Sequence, residues 1–144
     1  MRRCFPLLKS FPPLNHDRRG VAAIEFAMVA PMLILMMLGM VVYGGWFWMA
    51  HSVQSLASEG ARAAIAGLDP TEREALARSF ITTQVGDMGL QANRASVEVE
   101  STAGVIRVKV AYDVRDHPLM ALAAIVPSPP RVIRRTAVVR LGGY

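Results

Sequence analysis

From Phe26 to Ala50 the chain runs 25 residues without an Asp, Glu, Lys, Arg or His. Nothing else in the sequence restricts the fold as strongly. At about 1.5 Å per residue, a helix of that length measures roughly 37 Å, against about 30 Å of bilayer hydrocarbon. The run can span a membrane with some tilt. It is too long for the apolar core of a cleaved secretory signal, which is about 7–15 residues, and no small-x-small site follows it promptly. The composition agrees: 53% of the 144 residues are hydrophobic and 19% charged, which excludes wholesale disorder, and one Cys excludes a disulfide scaffold.

The flanks set the expected orientation. Arg2, Arg3, Lys9, Arg18 and Arg19 precede the run with Asp17 opposing them, whereas the near C-terminal flank holds only Glu59 and Arg62. The positive-inside rule predicts a cytoplasmic N-terminus, with everything after about His51 on the other side. The basic character is therefore concentrated in the leader. Residues 51–144 carry 11 basic and 9 acidic side chains, a net of +2, and call for no nucleic-acid partner. Cys4 has no apolar run ahead of it of the kind a lipoprotein signal needs, and reads as incidental. Arg18-Arg19 lacks the surrounding pattern of a twin-arginine signal.

Pro6, Pro12 and Pro13 make the leader a poor helix and an accessible tail. It ends at Arg18-Arg19-Gly20, and Val21-Ala22-Ala23-Ile24-Glu25-Phe26 leads into the apolar run. Glu25 is thus the one acidic residue between Val21 and Ala50. A carboxylate at mid-membrane costs about 2.5–3.5 kcal/mol or more, and less near the interface. On one reading Glu25 simply marks the membrane–water border. The other takes it together with Arg19 and Gly20: basic residues, a Gly, four small or apolar residues, then Glu and an aromatic. That order resembles the N-terminus of type IV prepilins and pseudopilins. With Ala22-Ala23-Ile24-Glu25-Phe26-Ala27-Met28-Val29-Ala30-Pro31 and the later Ser58-Glu59-Gly60-Ala61-Arg62, the chain resembles the TadE-like pseudopilins of the tight-adherence (Tad, or Flp-type) pilus system over about residues 20–64.

The resemblance implies cleavage by a membrane-embedded aspartic prepilin peptidase between Gly20 and Val21, shortening the chain from 144 to 124 residues. The residue types suit that step. Gly20 lets the backbone extend into a tight groove without a Cβ clash, and Arg18 and Arg19 hold the leader at the anionic cytoplasmic face. The resemblance further implies that the new α-amine of Val21 pairs with Glu25 of a neighbouring subunit, offsetting the burial of that carboxylate. Pairing within one chain is the competing arrangement. Pro31 cannot donate to the carbonyl of Ala27, so a kink or local loosening is expected there, as in many membrane helices. In a pilin-type stem it would serve bending on assembly. The partners implied are the prepilin peptidase, other Tad pseudopilins, the pilin or an inner-membrane platform, and the lipid bilayer. The implied location is the bacterial inner membrane, crossed once, with the C-terminal domain periplasmic.

Beyond Ala50 the helix is expected to continue to about Ala66. Val53, Leu56, Ala57, Gly60, Ala61 and Ala64 form one small, apolar face, suited to another subunit's helix or to the domain's own core. Glu59 and Arg62 are spaced for a weak surface ion pair. Gly67 reads as a stop, and Asp69-Pro70-Thr71-Glu72 as the cap and first turn of a second helix, with Leu76, Phe80, Ile81, Val85 and Met88 on its apolar side and Gly89 as its end. The period then changes to two. Val97 and Val99, then Ile106, Val108, Val110, Tyr112 and Val114, predict a hairpin in which Val99 faces Ile106, Glu98 opposes Arg107, and Ser101 to Gly104 form the loop. A last strand is expected at Val132 to Leu141. Leu119 to Val126 reads as a short helix packed on the sheet or touching the membrane surface. Arg131, Arg134, Arg135 and Arg140 suit a solvated sheet face, or else an acidic partner or anionic lipid.

The expected architecture is α+β: a cytoplasmic leader over 1–20, a membrane helix over 21–50, and an outer domain over 51–144 in which a second helix packs on about three antiparallel strands, a pilin-like lollipop. An enzyme is not expected. His16, His51 and His117 have no metal-ligand spacing to one another or to Cys4, and neither a nucleophile elbow nor a phosphate loop is present. No catalytic residue, metal or cofactor is assigned. Trp46, Phe47 and Trp48 read as an interfacial aromatic belt. The function expected is that of a structural or assembly component of a Tad pilus. The alternative is an uncleaved signal-anchor protein whose outer domain binds a ligand or an envelope partner.

Overall fold

A computed structural model describes residues 18–102 and 104–142, with the side chains of Arg18 and Arg19 excepted. The leader before Arg18, with Cys4, His16 and its prolines, lies outside the described residues. The element order is α1 (Arg18–Ala63), a 3-10 turn (Ala64–Ala66), α2 (Pro70–Asp87), a second 3-10 turn (Ala92–Arg94), β1 (Ala95–Thr102), β2 (Val105–Asp113), α3 (Pro118–Leu122) and β3 (Val132–Arg140). The strands form one antiparallel sheet in the order β1-β2-β3. The fold is the expected α+β: a long apolar N-terminal helix, a further helix and a three-stranded antiparallel sheet.

The chain divides into two units between Ile34 and Leu35. In the first, residues 20–34 of α1 are exposed apart from Ala30, which is half-buried. Side chains that are almost all apolar yet face outward on every side are what a bilayer solvates and water does not. The helical assignment runs through Pro31 without interruption.

The second unit contains the core. Met49, Val53, Leu56, Ala57 and Ala61 along one face of α1, Ala64 of the 3-10 turn that follows, Ala77, Ile81 and Val85 of α2, and Ile106, Val108, Val110, Tyr112 and Ile133 of the sheet form one buried cluster. The face of α1 that could have served another subunit is thus occupied by the domain's own core. Buried residues on α1 begin at Val42, inside the charge-free run.

Helix α2 begins as its sequence indicates. Asp69 Oδ1 accepts from the Glu72 backbone N–H (2.8 Å), and Glu72 Oε2 accepts from the Leu68 N–H (2.7 Å), while Pro70 opens the first turn with no N–H to satisfy. It ends in a Schellman motif, in which the Leu90 N–H reaches the Val85 carbonyl (3.1 Å), the Gly89 N–H reaches that of Gly86 (2.9 Å), and Gly89 takes φ +68°. Gly67 works differently from a left-handed stop. Its backbone is extended, and a Cβ there would stand 2.7 Å from the Arg73 backbone nitrogen. It is the close approach of the two helices that requires glycine.

The hairpin register departs from expectation by two residues. Val99 pairs with Val108 rather than Ile106, Glu98 faces Lys109 rather than Arg107, and Glu100 faces Arg107. Thr102 pairs with Val105, leaving two residues between the strands instead of four. A slip of two keeps every side chain on its face, so alternation alone does not choose between the registers. The tight turn does, with Gly104 at φ +89° supplying the positive φ that two-residue hairpins need.

The observed register also assembles an outer-face charge cluster. Glu100 accepts from Lys109 Nζ and from Arg107 (3.1 Å), and Lys109 lies 3.6 Å from Glu98. The Lys109 hydrogen bond, then that of Arg107, lowers the Glu100 carboxyl from its ordinary 4.5, and the Glu100 hydrogen bond raises Lys109 from 10.5. Glu100 therefore contributes stability above 4.5 that is lost as pH falls through its lowered value, and Lys109 contributes stability below 10.5 that is lost as pH rises through its raised value. The effect is small because the groups are solvent-exposed. The difference in melting temperature between the wild type and Glu100→Gln is expected to be flat between those limits, to vanish in acid, and to shrink in high salt.

Candidate functional site

The residues singled out for processing lie at the start of α1. The Gly20–Val21 peptide bond lies within the described part of α1, near its N-terminal end. Gly20, Val21, Glu25 and Phe26 are all exposed. Val21 and Glu25 stand one helical turn apart, on the same face. No side chain packs over this exposed stretch, and Gly lowers the cost of drawing the peptide into an extended conformation. Glu25 sits in a segment of α1 with no tertiary packing and has no salt-bridge partner among the described residues.

The second motif, Ser58 to Arg62, lies more than thirty residues further along the same helix. Its members divide by face. Gly60 and Ala61 are buried against the core, whereas Glu59 and Arg62 are exposed and make no ion pair with each other. The weak pair their spacing allows is not formed. A Cβ at Gly60 would stand 2.7 Å from Ile81 Cδ1 and 2.9 Å from Ile81 Cγ1, so the motif glycine sets how closely α1 and α2 approach. Gly60 and Ala61 are thus packing determinants. Pro31 falls between the two motifs, in the exposed part of α1.

Sequence reasoning did not anticipate a third contact region on α1. Leu119 of α3 lies against Gly45, where a Cβ would meet Leu119 Cδ1 at 2.2 Å, and Val126 lies 3.6 Å from the Cβ position of Gly39. Trp46 Nε1 donates to the Pro130 carbonyl (3.0 Å). The short helix thus touches α1 through Leu119, while its Met120 packs against the core cluster that α1 and the sheet share. The available signal was the set of glycines within the apolar run, Gly39, Gly44 and Gly45, since small residues admit a neighbouring chain to a helix backbone. Trp46 is thereby half-buried and hydrogen-bonded, while Phe47 and Trp48 remain exposed, as an interfacial belt requires. His117 caps α3, its Nδ1 accepting from the Leu119 N–H (3.3 Å). Among the described residues no group of three or more His, Cys, Asp or Glu is placed to hold a metal ion.

Comparison with known proteins gives one positive finding. Residues 20–62 match the family model described as TadE-like protein. The match begins at Gly20 and ends at Arg62, so it takes in the first motif from Gly20 onward, without Arg18 and Arg19, together with Pro31 and the second motif. No curated protein and no solved structure matches the chain.

Proposed function

We propose, from the premise that residues 20–62 are a TadE-like segment, that this protein is a pseudopilin-like structural component of a Tad pilus, trimmed after Gly20 by a prepilin peptidase. The observation that carries the reading is the placement of the match: it starts at the residue before the expected cut and includes Glu25, Pro31 and the Gly60–Ala61 packing site. The family associates the chain with the Tad pilus machinery in general and with structural rather than enzymatic work. The long apolar helix is consistent with a single-pass membrane anchor.

In the proposed arrangement residues 1–20 form a cytoplasmic leader, the anchor lies within 21–50, and the remainder lies on the periplasmic side of a bacterial inner membrane, positioned by the basic leader. Arg18 and Arg19 hold the leader at the membrane surface, Gly20 admits the backbone to the peptidase groove, and cleavage leaves the Val21 amine one turn from Glu25. The exposed Glu25 pairs with the amine of a neighbouring pseudopilin or pilin, which reduces the cost of holding a carboxylate among apolar side chains. Pro31 loosens the stem between that pairing site and the outer domain.

The test is the N-terminus of the membrane-extracted protein, read by mass spectrometry with and without the host's prepilin peptidase. The expected result is a start at Val21 that depends on the peptidase. A start at Met1 under both conditions would leave the uncleaved signal anchor as the reading. Glu25→Ala is expected to be trimmed normally yet to lose most pilus assembly, measured as sheared surface fibre. Undiminished fibre in that variant would remove the pairing role.

A further inference from the structure

Between His117 and Arg131 the chain has thirteen consecutive residues without a charge, Pro118-Leu-Met-Ala-Leu-Ala-Ala-Ile-Val-Pro-Ser-Pro-Pro130, with Ser128 the only polar side chain. Three contacts trace its course along α1. Leu119 touches the level of Gly45, Val126 the level of Gly39, and the Pro130 carbonyl returns to Trp46. Six helical residues separate Gly45 from Gly39, so at about 1.5 Å each the segment descends roughly 9 Å toward the N-terminal end of α1 and climbs back. The turning point lies below Trp46–Trp48, inside the charge-free run.

Most of the descending backbone is satisfied within the segment. The N–H groups of Met120, Ala123, Ala124 and Ile125 donate to carbonyls three residues back, at 2.8, 3.2, 3.4 and 3.1 Å. The returning leg contains Pro127, Pro129 and Pro130, which have no N–H to satisfy. Its outward side is apolar and open: Ile125 is 61% exposed, and Ala121 and Ala124 are exposed beside it. At the base the polarity reverses. The Val114 N–H donates to the Arg131 carbonyl (3.0 Å), closing the loop and bringing Arg115 and Arg131 to a common cleft of about 390 Å³ whose other lining, Met120, Ala123, Ala124 and Ser128, comes from the loop itself. Arg115 is braced there by Asp113 (3.2 Å).

We propose that Pro118–Pro130 is a re-entrant lipid-contact loop, dipping into the bilayer leaflet on the domain's side while Arg115 and Arg131 at its base engage lipid phosphates. The occupant is the bilayer because the exposed apolar surface is continuous with the anchor helix it lies along, and because the segment carries no charge of its own, the nearest being Arg115, Asp116 and Arg131 at its ends. A depth of roughly 9 Å matches the 5–10 Å at which interfacial apolar segments sit. The loop fixes the height and rotation of the domain at the membrane, which a single helix leaves free. This inference rests on the proposal that α1 is a membrane anchor.

The test places single nitroxide labels at Met32→Cys, Leu68→Cys and Ile125→Cys in a Cys4→Ser background, all at exposed positions, in full-length protein reconstituted in phosphatidylethanolamine/phosphatidylglycerol vesicles. Accessibility to oxygen, which partitions into lipid, is compared with accessibility to a water-soluble nickel chelate. The expected result is oxygen dominant at 32 and 125 and nickel dominant at 68. Nickel dominance at 125 with oxygen dominance at 32 would overturn the loop and leave the anchor standing. Nickel dominance at both would overturn both. Protection of 125 from both reagents, with dipolar broadening that disappears on dilution with unlabelled protein, would assign the surface to a second copy and overturn the lipid contact.

Discussion

Gly20→Leu is expected to abolish peptidase-dependent trimming, so that the extracted protein keeps its leader and its full 144 residues. Two effects act in the same direction. A peptidase must take its substrate extended, and the Gly20–Val21 bond lies within α1. Leucine favours the helix over glycine by about 1 kcal/mol, so the helix resists unwinding. It also brings a branched side chain to a groove that a bare Cα enters freely. The intact mass separates the two species by the mass of the leader, and a chain starting at Val21 in the variant would show that glycine is not what the peptidase reads. The downstream fold is unaffected in this prediction, because Gly20 is exposed and far along α1 from the core.

Gly60→Leu has the opposite profile. A Cβ at this position already stands 2.7 Å from Ile81, which is almost fully buried, and the remaining leucine atoms have no space between α1 and α2. Overpacking of this kind costs about 3 kcal/mol, or more where a backbone must shift. That is a large fraction of the stability of a small domain. The expected result is accelerated hydrogen exchange and proteolysis through α2 and β1 in detergent-solubilised protein, with the N-terminus still trimmed to Val21. Native-like protection in the variant would mean that the helices part without cost and that Gly60 does not set their distance. Gly20 and Gly60 lie near opposite ends of the same family match, and the two variants separate the processing proposed for Gly20 from the packing seen at Gly60.

How much was legible depended on how local the cause was. The bounds of α2 followed from Asp69, Pro70, Glu72 and Gly89, because caps act within a few residues. The inner sheet face of Val97, Val99, Ile106, Val108, Val110 and Tyr112 followed from alternation. The register did not, since pairing Val99 with Ile106 or with Val108 buries the same side chains. Gly67 reads as a stop and the helical stretch does end there, but that Arg73 of α2 comes too close to leave room for a Cβ is not visible in the sequence.

The sequence by itself determined that one long apolar helix leads into an α+β domain, and that Arg18 to Phe26 form an ordered motif at its start. Hydropathy, capping and period are properties of short stretches of chain, so no folded context is needed to read them. Only the tertiary structure decided that the domain's buried surface begins at Val42, that Gly60 faces Ile81, that Glu100 gathers Arg107 and Lys109, and that Leu119 to Val126 descend along Gly45 and Gly39. Each of these joins residues that are not neighbours in the chain, from seven residues apart at Glu100 and Arg107 to more than eighty at Gly39 and Val126. Such pairings depend on the shapes that meet, and a periodic pattern is compatible with several of them.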